Sequence, residues 1–390
     1  IFDFKQVVEN YVSADNMAYN SSEYKGVSTT NNTPHPLHLI DKYSRNKKAA
    51  RWLTIQFKTQ YTDANGDVVT PEALFAVSVD YQMFNGYLKY TDELSIFNND
   101  FGFSLGNFNL SSPTDRFLTN APATQYANLE DYGTVAFLAP NAVLGYIKLI
   151  YKNSAGGQIG TEDVDRLGSN GAYNSPYSTR IYQQLMYFGC FPANLQNWSS
   201  TFQALVTAGT IQGGSIVVQA FSTSQAISKE YTININCPNL KGYESIRLCW
   251  LNQWGVWDYY TFTQKSVRSI STKGSTYEQL AGTWNEAAYR VDSFKGGKKA
   301  FRVNATEKIK MNSDFVSESE NDMFEELINS PEVYILDGYQ DDIPFSALNQ
   351  YVKPVRLTTS SFTKKTVAND KLIQYTFEVE KSKTLRTQSV

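Results

Sequence analysis

The residues best suited to chemistry lie in one run, Cys249-Trp-Leu-Asn-Gln-Trp-Gly-Val-Trp-Asp-Tyr-Tyr-Thr-Phe262. Trp250, Trp254 and Trp257 fall within eight residues, and Asp258 and Tyr259 adjoin them. Flat apolar rings beside a carboxylate are the chemistry of sugar stacking, in which rings cover the pyranose and the acid fixes its hydroxyls. The same residues fit a second account. Gly255 can make a tight bend between two strands while the tryptophans fill the core beneath it. Strand-like segments flank the run on both sides and need such a corner, so the structural account is favoured. Which rings face solvent decides between them.

Other reactive types are sparse. His35 and His38 sit either side of Pro36-Leu37 in a polar N-terminal stretch, a poor setting for a general base. No Gly-x-Ser-x-Gly, phosphate-cradling glycine loop or His-Glu-x-x-His occurs. Of the adjacent acids, Asp341-Asp342 and Glu325-Glu326 both read as solvated, the second pair on the outer face of a helix. Cys190, Cys237 and Cys249 are odd in number and lack zinc-like spacing, which suits free buried thiols, with a Cys237–Cys249 bridge left open. Asp63, Asn65 and Asp67 imitate a calcium loop, but Val68 stands where glycine is needed and Leu74 where a bidentate Glu belongs. Asn65-Gly66 is better read as a hairpin turn. The expectation is a chain with no catalytic, cofactor-binding or metal-binding residues, and not an enzyme.

The elements that position these residues follow from composition. The 390 residues carry 35 Lys+Arg against 38 Asp+Glu, 42% hydrophobic and 14% aromatic residues, with 26 Tyr and 23 Phe. That is enough apolar content for a real core and leans towards strands. A net charge of −3 argues against nucleic-acid binding, which calls for a basic excess, and no apolar run is long enough to insert in a membrane as a helix.

Patterning divides the chain into an N-terminal arm over 1–48, a β-rich domain with long loops over 49–238, a C-terminal β-rich domain over 239–380 and a polar tail over 381–390. A short helix is expected near Phe4–Tyr11. Strands are expected at Arg51–Lys58 with a partner near Ala73–Gln82, and at Gly133–Ala139, Gly145–Tyr151, Gly214–Phe221 and Glu230–Ile235. Asn98–Gln125 and Gly156–Ser178 read as long loops. Further on, strands are expected at Glu244–Leu251, Tyr259–Ser271, Tyr289–Ser293, Ala300–Ala305 (continuing over Thr306–Met311) and Glu332–Leu336. Pro354–Thr359 and Lys371–Glu380 form a closing hairpin. One helix is expected near 319–329, capped by Ser319 with Asp322, its apolar stripe made of Met323, Phe324, Leu327 and Ile328. The fold class is mainly β, two sandwich or jelly-roll-like domains with few short helices.

The run Trp250–Phe262 also carries a resemblance. With Gly282-Thr-Trp284, Glu320-Asn-Asp-Met-Phe-Glu-Glu-Leu327, Ser330-Pro-Glu-Val-Tyr334, Ser361-Phe-Thr-Lys-Lys365 and Asn369–Val379, it resembles virion structural proteins of tailed bacteriophages, especially crAss-like phages and relatives infecting Bacteroidota. The resemblance spans about residues 240–380 and brings no catalytic residues. Its departure is Ile1 where such genes start with Met, which implies processing or truncation.

What the resemblance implies is a structural component of the virion, in the tail or at the head–tail junction as a ring, collar, tube or fibre-attachment protein. Its partners would be further copies of itself in a symmetric multimer and other virion proteins. A glycan-binding contact with the host surface is the alternative. A capsid decoration protein is a second, and a polysaccharide depolymerase, supported only by scattered carboxylates, a third.

Overall fold

The computed structural model describes residues 7, 43–45, 50–57, 60–70, 76–77, 81–87, 110–139, 144–165, 184–237, 242–283, 287–337, 352–366, 373–383 and 385–389. His35, His38, Trp284, Asp341-Asp342 and the expected helix near Phe4–Tyr11, apart from Val7, lie outside them. Among the described residues strand outweighs helix, 45% to 12%, so the chain is mainly β, with three short helices and no closed sheet. Two compact units emerge. One gathers the described residues of Ile1–Pro238 with Leu251–Tyr259; the other gathers those of Asn239–Trp250, Tyr260–Asp337 and Asn349–Val390.

In the first unit, a five-stranded sheet runs in the order Gln158–Asp165, Tyr146–Lys152, Ser215–Phe221, Tyr231–Ile235, Thr124–Ala127. All its pairs are antiparallel except the last. Along Tyr146–Lys152 every second residue is buried, which places Ile147, Leu149 and Tyr151 in the core. A three-stranded sheet orders Tyr43–Arg45, Gln184–Gly189, Thr134–Ala139. Phe117 packs on both sheets, 6.0 Å from Phe137 and 6.1 Å from Tyr231 between ring centres.

The Asn65-Gly66 turn joins Tyr61–Thr62 to Val68–Val69, and the pairing continues in short pieces to Ala50–Leu53 against Tyr81–Phe84. The Asp63 carboxylate accepts the N–H groups of Asn65 and Asp67, both at 2.9 Å, so it closes its own turn. Two features differ from expectation. Gly156–Ser178 is not all loop, because Gln158–Asp165 is a strand. The helices Pro192–Trp198 and Ser200–Thr207 have no counterpart in the sequence reading. Pro192 opens the first, where its missing N–H costs nothing, and Ser199 caps the second by accepting from the Phe202 N–H at 3.0 Å.

A further sheet is ordered Trp257–Phe262, Ile246–Leu251, Val333–Leu336, Val352–Leu357, Thr376–Lys381, Gly297–Asn312, Val267–Gln279, with Leu385–Ser389 also paired to Gly297–Asn312; from Val333–Leu336 onward its strands belong to the second unit. The expected closing hairpin is present as 352–357 against 376–381. The expected hairpin across Phe294–Lys298 is not. Gly297–Asn312 is a single 16-residue strand, its partner is Val267–Gln279, and 289–293 is irregular apart from a bridge at Val291. The strand expected over Tyr259–Ser271 breaks after Phe262 and restarts at Val267.

The helix Asn321–Asn329 buries Met323, Phe324 and Leu327, and Phe324 packs against Phe262, Tyr375 and Phe377. Its cap lies further upstream than Ser319. Ser317 and Glu320 form the capping box across a 3-10 turn, with the Ser317 N–H donating to Glu320 at 2.9 Å, because a glutamate three residues on reaches back where Asp322 is too short. Glu326 is buried, which corrects its placement on the solvent face.

Candidate functional site

The corner is made by the turn between Ile246–Leu251 and Trp257–Phe262. The Asn252 N–H donates to the Val256 carbonyl at 2.8 Å, and the Gly255 N–H to the Asn252 carbonyl at 3.0 Å. Gly255 adopts φ +70°, a left-handed conformation that glycine takes without strain. A Cβ there would also run into the backbone carbonyl of Asn85. The Tyr87 N–H donates to the Gln253 carbonyl at 2.8 Å, so segment 85–87 lies directly against the turn.

Asn252 organises the interior of the corner. Its Nδ2 donates to the Leu118 carbonyl and to Asp258 Oδ2, each at 3.0 Å. Its Oδ1 accepts the N–H groups of Trp254 at 2.9 Å and Val256 at 3.3 Å. Asp258 also accepts from the Thr119 hydroxyl at 2.6 Å. Burial pushes the Asp258 carboxyl up to about 6 against the pull of these two hydrogen bonds, since taking an anion out of water outweighs two donors. Tyr259 packs on Phe191 at 5.6 Å, and its hydroxyl lies 3.1 Å from Thr134 Oγ1.

Trp254, Trp257, Asp258 and Tyr259 are thus brought to one place within the first unit, all buried; Trp250, in the second unit, is buried too. No ring among them presents a face to solvent. Sugar stacking needs such a face, so the corner works as a folding element, with Asp258 accepting hydrogen bonds inside it. Cys190 and Cys249 are buried free thiols whose pKa burial raises; Cys237 is free and exposed.

A second polar cluster went unread in the sequence. The Ser199 hydroxyl donates to Glu162 at 2.5 Å, and the Tyr151 hydroxyl donates to the same carboxylate oxygen at 3.2 Å. Burial raises the Tyr151 phenol, which keeps it a donor. With Ser199 already capping a helix, the cluster fastens Ser200–Thr207 to Gln158–Asp165. Among the described residues no group of acids, histidines and cysteines is arranged to hold a metal, and no helix is long and apolar enough to cross a membrane.

The feature that solvent does meet is the long hairpin of the second unit. Val267–Gln279 is exposed at every position but its last, on both faces. Beyond it lie Leu280, Tyr289, Val291 and Phe294, large apolar residues 65–73% exposed. Comparison with protein-family models, curated proteins and solved structures gives no match to this chain.

Proposed function

We propose that this chain is a structural component of a tailed-phage particle, in the tail or at the head–tail junction, where repeated copies and other virion proteins cover its exposed elements. The observation that carries the reading is the hairpin. A strand exposed on both faces buries nothing for its own unit, and a cluster of large apolar side chains at its far end is the kind of surface that marks an interaction site. The motif set over residues 240–380 supports the phage assignment. The buried aromatic corner, which offers no ring to a sugar, favours assembly over a host-glycan contact at that position. The reading is tested by asking whether the chain is an integral part of purified particles and where it sits. Antibody against it should label the tail or neck; its absence from particles would contradict the proposal.

A further inference from the structure

Within the second unit, the two ends of the long hairpin differ in charge. At the tip, residues 278–302 include Arg290, Lys295, Lys298, Lys299 and Arg302 among the described residues, against Asp292 and against Glu278, which lies opposite Lys298 across the hairpin. Asp292 pairs with Lys295 at 3.1 Å, and Lys299 donates to the Phe294 carbonyl at 2.9 Å while keeping its charge. Leu280, Tyr289, Val291 and Phe294 are exposed among these cations.

The strand Gly297–Asn312 then runs 16 residues to the base, a path of about 50 Å at ~3.3 Å per residue. There the sign reverses. Residues 313–325 carry Asp314, Glu318, Glu320, Asp322 and Glu325 and no basic residue. Lys364 answers Asp322 at 2.9 Å and Glu325 at 2.8 Å, while Asp314 receives two neutral donors, the Gln264 amide at 3.1 Å and the Phe315 N–H at 2.8 Å. Phe315 is 59% exposed in the middle of this acidic surface.

We infer that the hairpin tip of one copy docks on the base of a second copy of this chain, with the tip lysines facing Glu318 and Asp322 and the tip apolar residues covering Phe315. The occupant is argued from complementarity. Each surface carries an excess of one sign of charge beside exposed apolar side chains, and the two excesses are opposite. The two surfaces are different, so the contact is heterologous and propagates from copy to copy, closing as a ring or continuing as a filament according to the rotation per copy. A protein with two identical mating patches would stop at a dimer. The inference rests on the assembly reading above and adds its interface and polarity.

Sedimentation velocity on the full chain over a wide concentration range tests it. Wild type should self-associate, more weakly at high salt. Lys298→Glu with Lys299→Glu should raise the dissociation constant roughly tenfold or more, as should Glu318→Lys with Asp322→Lys, because each sets like charges together. The four substitutions combined should recover association, because the exchanged positions again face opposite charges. Leu280→Ser with Phe294→Ser should weaken association without moving the melting temperature, which separates docking from folding. Association that ignores both charge pairs would overturn the inference while leaving the assembly reading intact. A chain monomeric at every concentration would overturn it too, and the assembly reading would then stand or fall on whether the chain is found in particles.

Discussion

Asn252 and Asp258 face each other across the corner at 3.0 Å, and the amide that holds the carboxylate also holds the turn, through the N–H groups of Trp254 and Val256. A single side chain therefore satisfies four polar groups that burial has cut off from water. Asn252→Ala should cost about 2–4 kcal/mol by urea unfolding, since it leaves those groups without a partner. Asn252→Asp should cost more at pH 8 than at pH 5, because it sets a second carboxylate against the first.

The Asp258 carboxyl gives a pH dependence with a fixed sign. Its pKa rises from 3.8 to about 6 on folding, so the folded protein binds the proton more tightly than the unfolded chain. Its contribution to stability is fully present below 3.8 and is lost as pH rises through about 6, amounting to about 3 kcal/mol. Asp258→Asn should remove that slope, because an amide does not titrate, and the Thr119 hydroxyl can turn to accept from it. A slope that persists in the variant would move its origin elsewhere.

Glu307 should show the opposite sign. Lys381 donates to it at 2.6 Å and Arg268 at 2.8 Å, and these hydrogen bonds hold its carboxyl below the usual range. Its contribution is present at neutral pH and lost as pH falls through its lowered pKa. Glu307→Gln should cost about 1 kcal/mol, modest because Arg268 is partly exposed.

Two glycines with positive φ should respond unequally. Gly255→Ala meets the Asn85 carbonyl as well as the backbone penalty and should cost more than about 2 kcal/mol. Gly66→Ala, at φ +89° with open space around it, should cost only about 1 kcal/mol. Thermal melts of the two variants make the comparison.

The core and the hairpin should separate as sharply. Phe324 lies among Tyr260, Phe262, Tyr375 and Phe377, and Phe324→Ala should cost about 3–5 kcal/mol. Ile270, 64% exposed in Val267–Gln279, should tolerate Ser with a change under about 0.5 kcal/mol.

The strands legible in the sequence are those that bury at least one face, the fully buried Ile246–Leu251 among them. Tyr146–Lys152 and Tyr231–Ile235 alternate cleanly, and the structure gives them within a residue or two of the expected bounds. Val267–Gln279 was legible only at its start, because a strand exposed on both faces has no alternation to read and is rich in Ser and Thr. Tyr289–Ser293 and Ala300–Ala305 do alternate, yet the long strand pairs with a segment before them, a choice made by contacts distant in sequence. The spacing of Trp250, Trp254 and Trp257 marked the corner but carried no information on which side faced water. The role of Asn252 was hidden for a related reason. Its partner Leu118 lies 134 residues away, and Thr119 lies 139 from Asp258.

The most direct test of the proposed function is immunogold electron microscopy of phage particles purified from a culture that carries the gene for this chain, paired with mass spectrometry of the same particles. The account predicts peptides of the chain in several copies per particle and gold at the tail or neck. Particles from which the chain is absent would contradict it.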